Sequence, residues 1–368
     1  MSVRKRGKAY QIDYIDVSGK RVRKSGFKTK EDAKQAEAKL LVDVAKGIST
    51  IQNKIITFKV ASEHYINTQL KNYCKESTYD EYKRMINTHL VPFFGDMRLI
   101  NIKKNTIEDF ITYQKNNTNV CDNTINKHLT ILSAILEKQV ENENLYINYA
   151  RRVKKLPIEQ KETRALTKKE IGIILNICKK DYEQFLPLLY TAINTGLRKG
   201  EILALRWQNI NFKEELIKVQ HSLYKGKLTT PKSKTSKRSI NMSKSLKKVL
   251  LELKLETSGK DENFVFTNSN NGALDSKNII NRFYKPLIKK SDIGHVRFHD
   301  LRHTFASQLI TNGVDIKYIQ TQLGHASTRM TLDTYGHLLP DSNEKALKVL
   351  DNLCLFPEIV KASEQNNA

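Results

Sequence analysis

The chain has 368 residues, 39% of them apolar, and a formal net charge of +24. That length suits two or three domains, the apolar share suits packed cores, and the charge excess points to a polyanionic partner. No run of about 18 apolar residues occurs, so no membrane span is expected.

Lys and Arg are spread along nearly the whole sequence. A binder of acidic membrane surfaces would concentrate them on one amphipathic helix or one end, so nucleic acid is the favoured partner and a merely basic protein the alternative. The start, Met1-Ser2-Val3-Arg4-Lys5-Arg6, is followed by no apolar stretch of the kind a secretory signal needs. Cys74, Cys121, Cys178 and Cys354 stand far apart with no CxxC pair. That argues against a disulfide framework or zinc knuckle and suits a reducing cytoplasm.

In chain order, residues 1–55 read as a small basic module. Tyr10, Ile12 and Tyr14 alternate with Gln11 and Asp13, the period of a strand. Ser18-Gly19 reads as a hairpin turn, followed by a basic strand over Lys20–Lys24. Thr29 with Asp32 forms a capping-box pattern. It opens a helix with Ala33, Ala36, Leu40 and Val44 on one face, ending near Gly47. Residues 4–30 carry ten Lys/Arg against two acids, so the sheet could lie in a DNA groove or simply be a solvated basic face.

Residues 56–150 read as helical. Ser77 with Asp80 predicts one helix start, Pro92 and Gly95 its end, and Thr106 with Asp109 another start. Asn123 to Val140 carries Ile125, Leu129, Leu132, Ile135 and Leu136 at helical spacing, a core stripe. Residues 151–166 predict an extended basic linker around Pro157. Thr167 with Glu170 caps the first helix of a last domain, 167–350, which mixes helices with a short sheet: Leu216 to Gln220, a hairpin from Lys227 to Met242, and Phe264-Val265-Phe266. A tail follows over 351–368.

Four segments of the last domain concentrate reactive side chains. In Thr195-Gly196-Leu197-Arg198-Lys199-Gly200-Glu201, a Gly before an Arg lets a guanidinium reach an anion, and its planar fork suits two phosphate oxygens. Glu201 lies three residues on and could orient Arg198; a surface ion pair is the alternative. Around Pro231-Lys232-Ser233-Lys234, a hairpin-borne Lys could protonate a departing oxygen, or the stretch could be an ordinary basic loop. In His299-Asp300-Leu301-Arg302-His303, His299 and Arg302 can face one anion. The HDxxH spacing also raises a zinc reading, which Arg302 and the lack of a third ligand oppose. Last come Gly324-His325 and, ten residues on, Tyr335.

This set is rich in cations and poor in carboxylates. It shows neither the Asp/Glu cluster of a Mg²⁺-dependent nuclease nor a GxxxxGK[ST] loop. Cations alone can stabilise phosphoryl transfer, with a side-chain hydroxyl as the nucleophile. No metal or cofactor is expected.

The four segments resemble the tyrosine recombinases, or phage-type integrases: TGLRKGEILALRW at 195–207, TPKSKTSKRSI at 230–240, HDLRHTFAS at 299–307 and LGHASTRMTLDTYGH at 323–337. Upstream, HLVPFFGDMRL at 89–99 looks like the core-binding domain, and residues 1–55 look like an arm-binding domain. The resemblance implies a multidomain, mainly α fold with small β-sheets: an N-terminal three-stranded sheet plus helix, a SAM-like helical core-binding domain and a mixed α+β catalytic domain. It implies that Arg198 and Arg302 clamp the scissile phosphate and that His325 donates to it. His299 would assist proton transfer, Lys232 (or else Lys234) would protonate the leaving 5′-oxygen, and Tyr335 would be the nucleophile. Ser233 stands where Thr is common. Implied partners are double-stranded DNA attachment sites and further copies of the chain in a homotetramer that exchanges strands through a Holliday junction. An excisionase or host DNA-bending protein would be an accessory partner, and the setting is a bacterial cytoplasm. Leu338, Leu339, Leu350 and Leu353 could pack on a neighbouring protomer or on their own domain. A non-catalytic DNA-binding regulator and a type IB topoisomerase are the alternatives. The complete catalytic set opposes the first, and the separate basic N-terminal module opposes the second.

Overall fold

The alternation over residues 10–14 becomes the middle strand of a small sheet in the computed structural model, which describes residues 2–7, 9–15, 21–45, 56–158, 164–230, 237–257 and 259–339, with Leu347 and Leu350. The expected Ser18-Gly19 turn, the helix end near Gly47, Lys232, Lys234, Leu353 and the tail beyond residue 350 lie outside the described residues. Contacts divide the chain into two units, Met1–Gln160 and Lys161–Ala368.

Strands β1 (Ser2–Arg6), β2 (Ala9–Ile15) and β3 (Arg21–Phe27) form an antiparallel sheet in the order β1-β2-β3. Ile12 and Tyr14 are buried with Ala33 and Leu40 of the helix Lys30–Ala45. The Thr29 hydroxyl accepts from Asp32 N at 3.0 Å and caps that helix. Alternation then sends Arg4, Arg6, Gln11, Asp13, Arg21 and Arg23 to the face away from the helix. Asp13 is the one acid among these four arginines, and it accepts from both Arg21 and Arg23 at 3.0 Å.

Residues 56–158 are a helical domain around Phe58, Phe94, Phe110, Leu132, Ile135 and Leu136. Its longest helix, Asp122–Glu141, carries the predicted stripe inward. Two predicted helix starts move. The helix containing Ser77 begins at Glu76, behind an extended Lys75, and the one containing Thr106 begins at Lys104. Ser77 and Thr106 thus sit inside first turns rather than capping them. Pro92 does not break its helix either. The π turn Ile86–Leu90 precedes Val91–Phe94, so the ring sits at the start of a new turn, where its missing N–H costs no hydrogen bond. Asn126, buried in the long helix, donates to Leu156 O and accepts from Leu156 N, both at 2.9 Å.

The second unit opens with the helix Lys168–Asp181. Thr167 Oγ1 accepts from Glu170 N, and the Glu170 carboxylate accepts from Thr167 N, completing the predicted capping box. Its core gathers Leu189, Ile202, Trp207, Ile217, Ile240, Tyr284 and Leu301. The sheet runs β4 (Ile210–Asn211), β5 (Leu216–Val219) and β8 (Arg238–Asn241). The hairpin differs from expectation. β7 (Lys227–Thr229) pairs with β6 (Ser222–Tyr224), and β8 pairs with β5. The tip is Lys225-Gly226, both at positive φ, the geometry of a tight two-residue hairpin turn. Phe264 to Phe266 is not a strand of the sheet: Phe264 makes an isolated bridge with Arg206, and Val265 N donates to Leu205 O. Beyond the sheet come the helices Asp300–Thr311, Ile316–Leu323 and Thr328–Tyr335, which bury Ala306, Ile310, Ile319 and Leu323 together with the Tyr335 ring. Leu338 packs on this same cluster, while Leu339 and Leu350 are exposed.

Candidate active site

Two left-handed glycines set the frame. Gly196 ends the helix Leu186–Thr195 at φ 60°, and Gly324 ends Ile316–Leu323 at φ 66°. Only glycine adopts this conformation without strain. Neither has room for a side chain: a Cβ on Gly196 would stand 2.5 Å from the Phe305 ring, and one on Gly324 would stand 3.0 Å from Arg238 Cδ.

The turn after Gly196 buries Leu197 and places Arg198 just before the short helix Lys199–Leu203. Glu201, 2% exposed, receives Arg198 Nη1 at 2.9 Å and Arg198 N at 3.0 Å. Arg302 sits in the first turn of Asp300–Thr311 and is 3% exposed. Its Nη1 donates to Gly196 O at 2.8 Å and its Nη2 to Leu323 O at 2.7 Å. Both anchors are neutral, so the guanidinium is oriented without being neutralised.

His325 follows Gly324, its Nδ1 3.0 Å from the buried Thr331 hydroxyl. His299 precedes the Arg302 helix, and its ring meets His303 edge-on at 5.1 Å between centroids. Tyr335 ends the last of the three helices with its ring 2% exposed and its hydroxyl 2.5 Å from His303 Nδ1. Arg198, His299, Arg302, His325 and Tyr335 thus gather in one site, with Arg302 close enough to act electrostatically on each of the other four.

Positive charge dominates its electrostatics. Burial, then Arg198 and Arg238, lower the Arg302 pKa to about 9, leaving it cationic at neutral pH. Enclosure by protein lowers His325 and His299 to about 4 each, helped by Arg302 and Arg198 for the first and by His303 and Arg302 for the second. Burial raises the Tyr335 hydroxyl to about 12, with Arg302 opposing. The Glu201 pKa is pushed up by burial and more strongly down by Arg238 and Arg198, for a net lowering. Arg198 and Arg238 therefore share the Glu201 carboxylate while Arg302 adds a third guanidinium held on neutral carbonyls, an excess of positive charge suited to a phosphodiester.

Two members escape a reading of the sequence. Arg238, whose side chain is 4% exposed, donates to Glu201 Oε2 at 3.0 Å and to Gln322 O at 2.6 Å. It is one cation in a very basic stretch, and only its place in β8 beside the buried Ile240 hints at an inward role. His303 invites a metal reading by its spacing from His299. The structure instead bonds it to Tyr335, and among the described residues no three His, Cys, Asp or Glu side chains gather as a metal site.

The family model for the phage integrase family matches residues 164–341, that for its N-terminal SAM-like domain residues 57–114, and that for an arm DNA-binding domain residues 2–44. The chain belongs to the phage integrase family, the tyrosine recombinases, and is a site-specific DNA recombinase. Within that family it is similar to the ICEBs1 integrase of Bacillus subtilis (strain 168), at 29% identity over 96% of this chain and 100% of that relative. It is also similar to a XerC-like tyrosine recombinase of Caldanaerobacter subterraneus subsp. tengcongensis, at 24% identity over 92% and 94%. In fold it is similar to the Tn1549 transposon integrase in complex with transposon right end DNA, with a TM-score of 0.70 and 20% identity over 80% of this chain and all of that one. A lambda integrase tetramer bound to a Holliday junction matches with a TM-score of 0.61 and 18% identity over 91% and 93%. Among the described residues no helix is long and apolar enough to cross a membrane.

Proposed function

We propose that Tyr335 attacks a DNA phosphodiester at the crossover site, leaving a 3′-phosphotyrosyl enzyme and a free 5′-hydroxyl. Arg198 and Arg302 bind the non-bridging oxygens, and His325 donates to the same phosphate. His299 assists proton transfer, and Lys232, or in its place Lys234, protonates the departing 5′-oxygen. The phosphotyrosine conserves the energy of the broken bond, so rejoining needs no nucleotide. The observation that carries this reading is a buried, un-neutralised Arg302 held on two carbonyls in the same pocket as the Tyr335 hydroxyl.

The arginine-lined face of the N-terminal sheet would track the phosphates of a second, arm-type site, and the helical domain would grip the core site. Four copies on two attachment sites would exchange strands through a Holliday junction, integrating and excising a mobile element in the bacterial cytoplasm. An excisionase or a host DNA-bending protein would bias the direction. The domains on this reading are 1–55 for the arm, 56–150 for the core, 151–166 for the linker, 167–350 for catalysis and 351–368 for the tail.

The test is a nicked suicide duplex carrying the attachment core, sought as a direct repeat in the DNA flanking the encoding gene. The wild-type chain traps as a covalent adduct and Tyr335→Phe does not; an adduct with the Phe variant would move the nucleophile elsewhere.

A further inference from the structure

We propose that His303 is the proton acceptor for Tyr335 in strand cleavage and the proton donor to it in rejoining. This rests on Tyr335 being the nucleophile. Among the described residues, the hydrogen-bond partner of the tyrosine hydroxyl is His303 Nδ1, at 2.5 Å, within the reach that proton transfer requires. His299, the histidine to which the family pattern points, meets the His303 ring edge-on at 5.1 Å, and the His303 ring in turn lies 5.6 Å from that of Tyr335.

The charges around His303 favour the acceptor role. Enclosure by protein lowers its pKa, as do Arg297 and Arg302, while Asp300 opposes. His299, His325 and Tyr335 are the other titratable groups that face it among the described residues. A neutral imidazole beside a protonated phenol accepts at Nδ1 and carries its own proton on Nε2. When a phosphate enters, its negative charge offsets Arg302 and Arg198, and His303 becomes a stronger base as the substrate arrives.

The step balances. The Tyr335 Oη–P bond forms as the P–O5′ bond breaks. The phenolic proton passes to His303 Nδ1, and the 5′-oxygen takes its proton from the separate acid assigned to Lys232. In rejoining, the 5′-hydroxyl attacks phosphorus and gives its proton back to the amine assigned to Lys232, the Tyr335 Oη–P bond breaks, and the His303 imidazolium returns its proton to the departing phenolate. His303 thus acts on the tyrosine oxygen and not on the 5′-oxygen, and that division is measurable.

Single-turnover cleavage of the nicked suicide duplex is compared for the full wild-type chain, His303→Gln and His303→Asn. The variants are expected to bind the duplex within about threefold of wild type. They cleave about 100-fold more slowly at neutral pH. A duplex with sulfur replacing the 5′-bridging oxygen, whose thiolate leaves without an acid, does not restore their rate. Added imidazole partly restores cleavage by His303→Ala. Variants that bind and cleave within about threefold of wild type would overturn the proposal, as would rescue by the bridging sulfur, which would assign His303 to the leaving group. Loss of both folding and DNA affinity in both variants, with no imidazole rescue, would make it a packing residue and overturn it equally. If the wild-type chain itself forms no adduct, the fault lies with the phosphotyrosine reading, a different outcome from active wild type beside active variants.

Discussion

Arg238 Nη2 stands 3.0 Å from Glu201 Oε2 while Arg198 Nη1 takes Oε1 at 2.9 Å, and the Arg238 and Glu201 side chains are almost wholly out of water. The Arg238 guanidinium also holds the carbonyl of Gln322, one residue before the Leu323 carbonyl that anchors Arg302. Arg238 therefore joins the Arg198 turn to the end of the helix that leads into His325.

Replacing Glu201 with Gln leaves two clustered guanidiniums without a counter-charge. Removing one partner of a buried pair costs about 3–5 kcal/mol, so the catalytic unit should unfold at clearly lower urea, with adduct formation reduced in parallel. Adding Arg238→Met should recover part of the lost stability, because the orphaned charge goes with it. Equal midpoints for Glu201→Gln and wild type would show that the pair is not structural.

Gly324→Ala forces a left-handed backbone on alanine and drives its Cβ against Arg238 Cδ and Nη1, each 3.0 Å away. Strain of this kind costs about 1–3 kcal/mol. Cleavage should fall more than DNA affinity, since the displaced groups are Arg238 and His325 rather than the DNA-facing surface. Affinity and single-turnover rate, measured side by side, give the answer.

His299 and His325 titrate near 4 when folded, against an ordinary 6.5. Between those values the unfolded chain binds more protons, so stability of the catalytic unit is full above about 6.5 and declines as pH falls towards 4. Inorganic sulfate or phosphate should reverse part of the decline, because an anion in the pocket favours the protonated rings. Thermal melts at pH values across that window, with and without sulfate, should show the anion effect growing as pH falls; His299→Asn with His325→Asn should flatten it.

Asn126→Ala removes both hydrogen bonds that clasp Leu156 to the long helix of the helical domain. Each unmet buried group costs about 1–3 kcal/mol, which loosens that segment locally before the domain unfolds. Trypsin should cut after Lys154 or Lys155 sooner than in wild type, with the cleavage site read by mass spectrometry.

Much of this molecule is legible from local chemistry. Thr167 with Glu170 and Thr29 with Asp32 announce their helices because a cap is a contact three residues long. Tyr10, Ile12 and Tyr14 announce a strand because the pleat has period two. The same cap pattern misleads at Ser77 and Thr106, where extended residues just upstream let the helix begin earlier. Pairing of β6 with β7 is invisible because Lys225-Gly226 competes with the basic stretch beyond it as a turn. Within the site, the residues proposed to attack or clamp are readable by type and spacing. Their holders are not: Arg238 lies 37 residues from Glu201 and His303 lies 32 from Tyr335, separations over which only the folded chain brings them together.

The two carbonyls that hold Arg302 belong to Gly196 and Leu323, and every amino acid has a carbonyl. No change of side chain at position 323 can delete its acceptor. What inheritance must preserve is the path of the main chain, and that path is written in Gly196 and Gly324. A lineage can therefore drift widely around this arginine and keep its aim, while a single methyl group at either glycine would turn it.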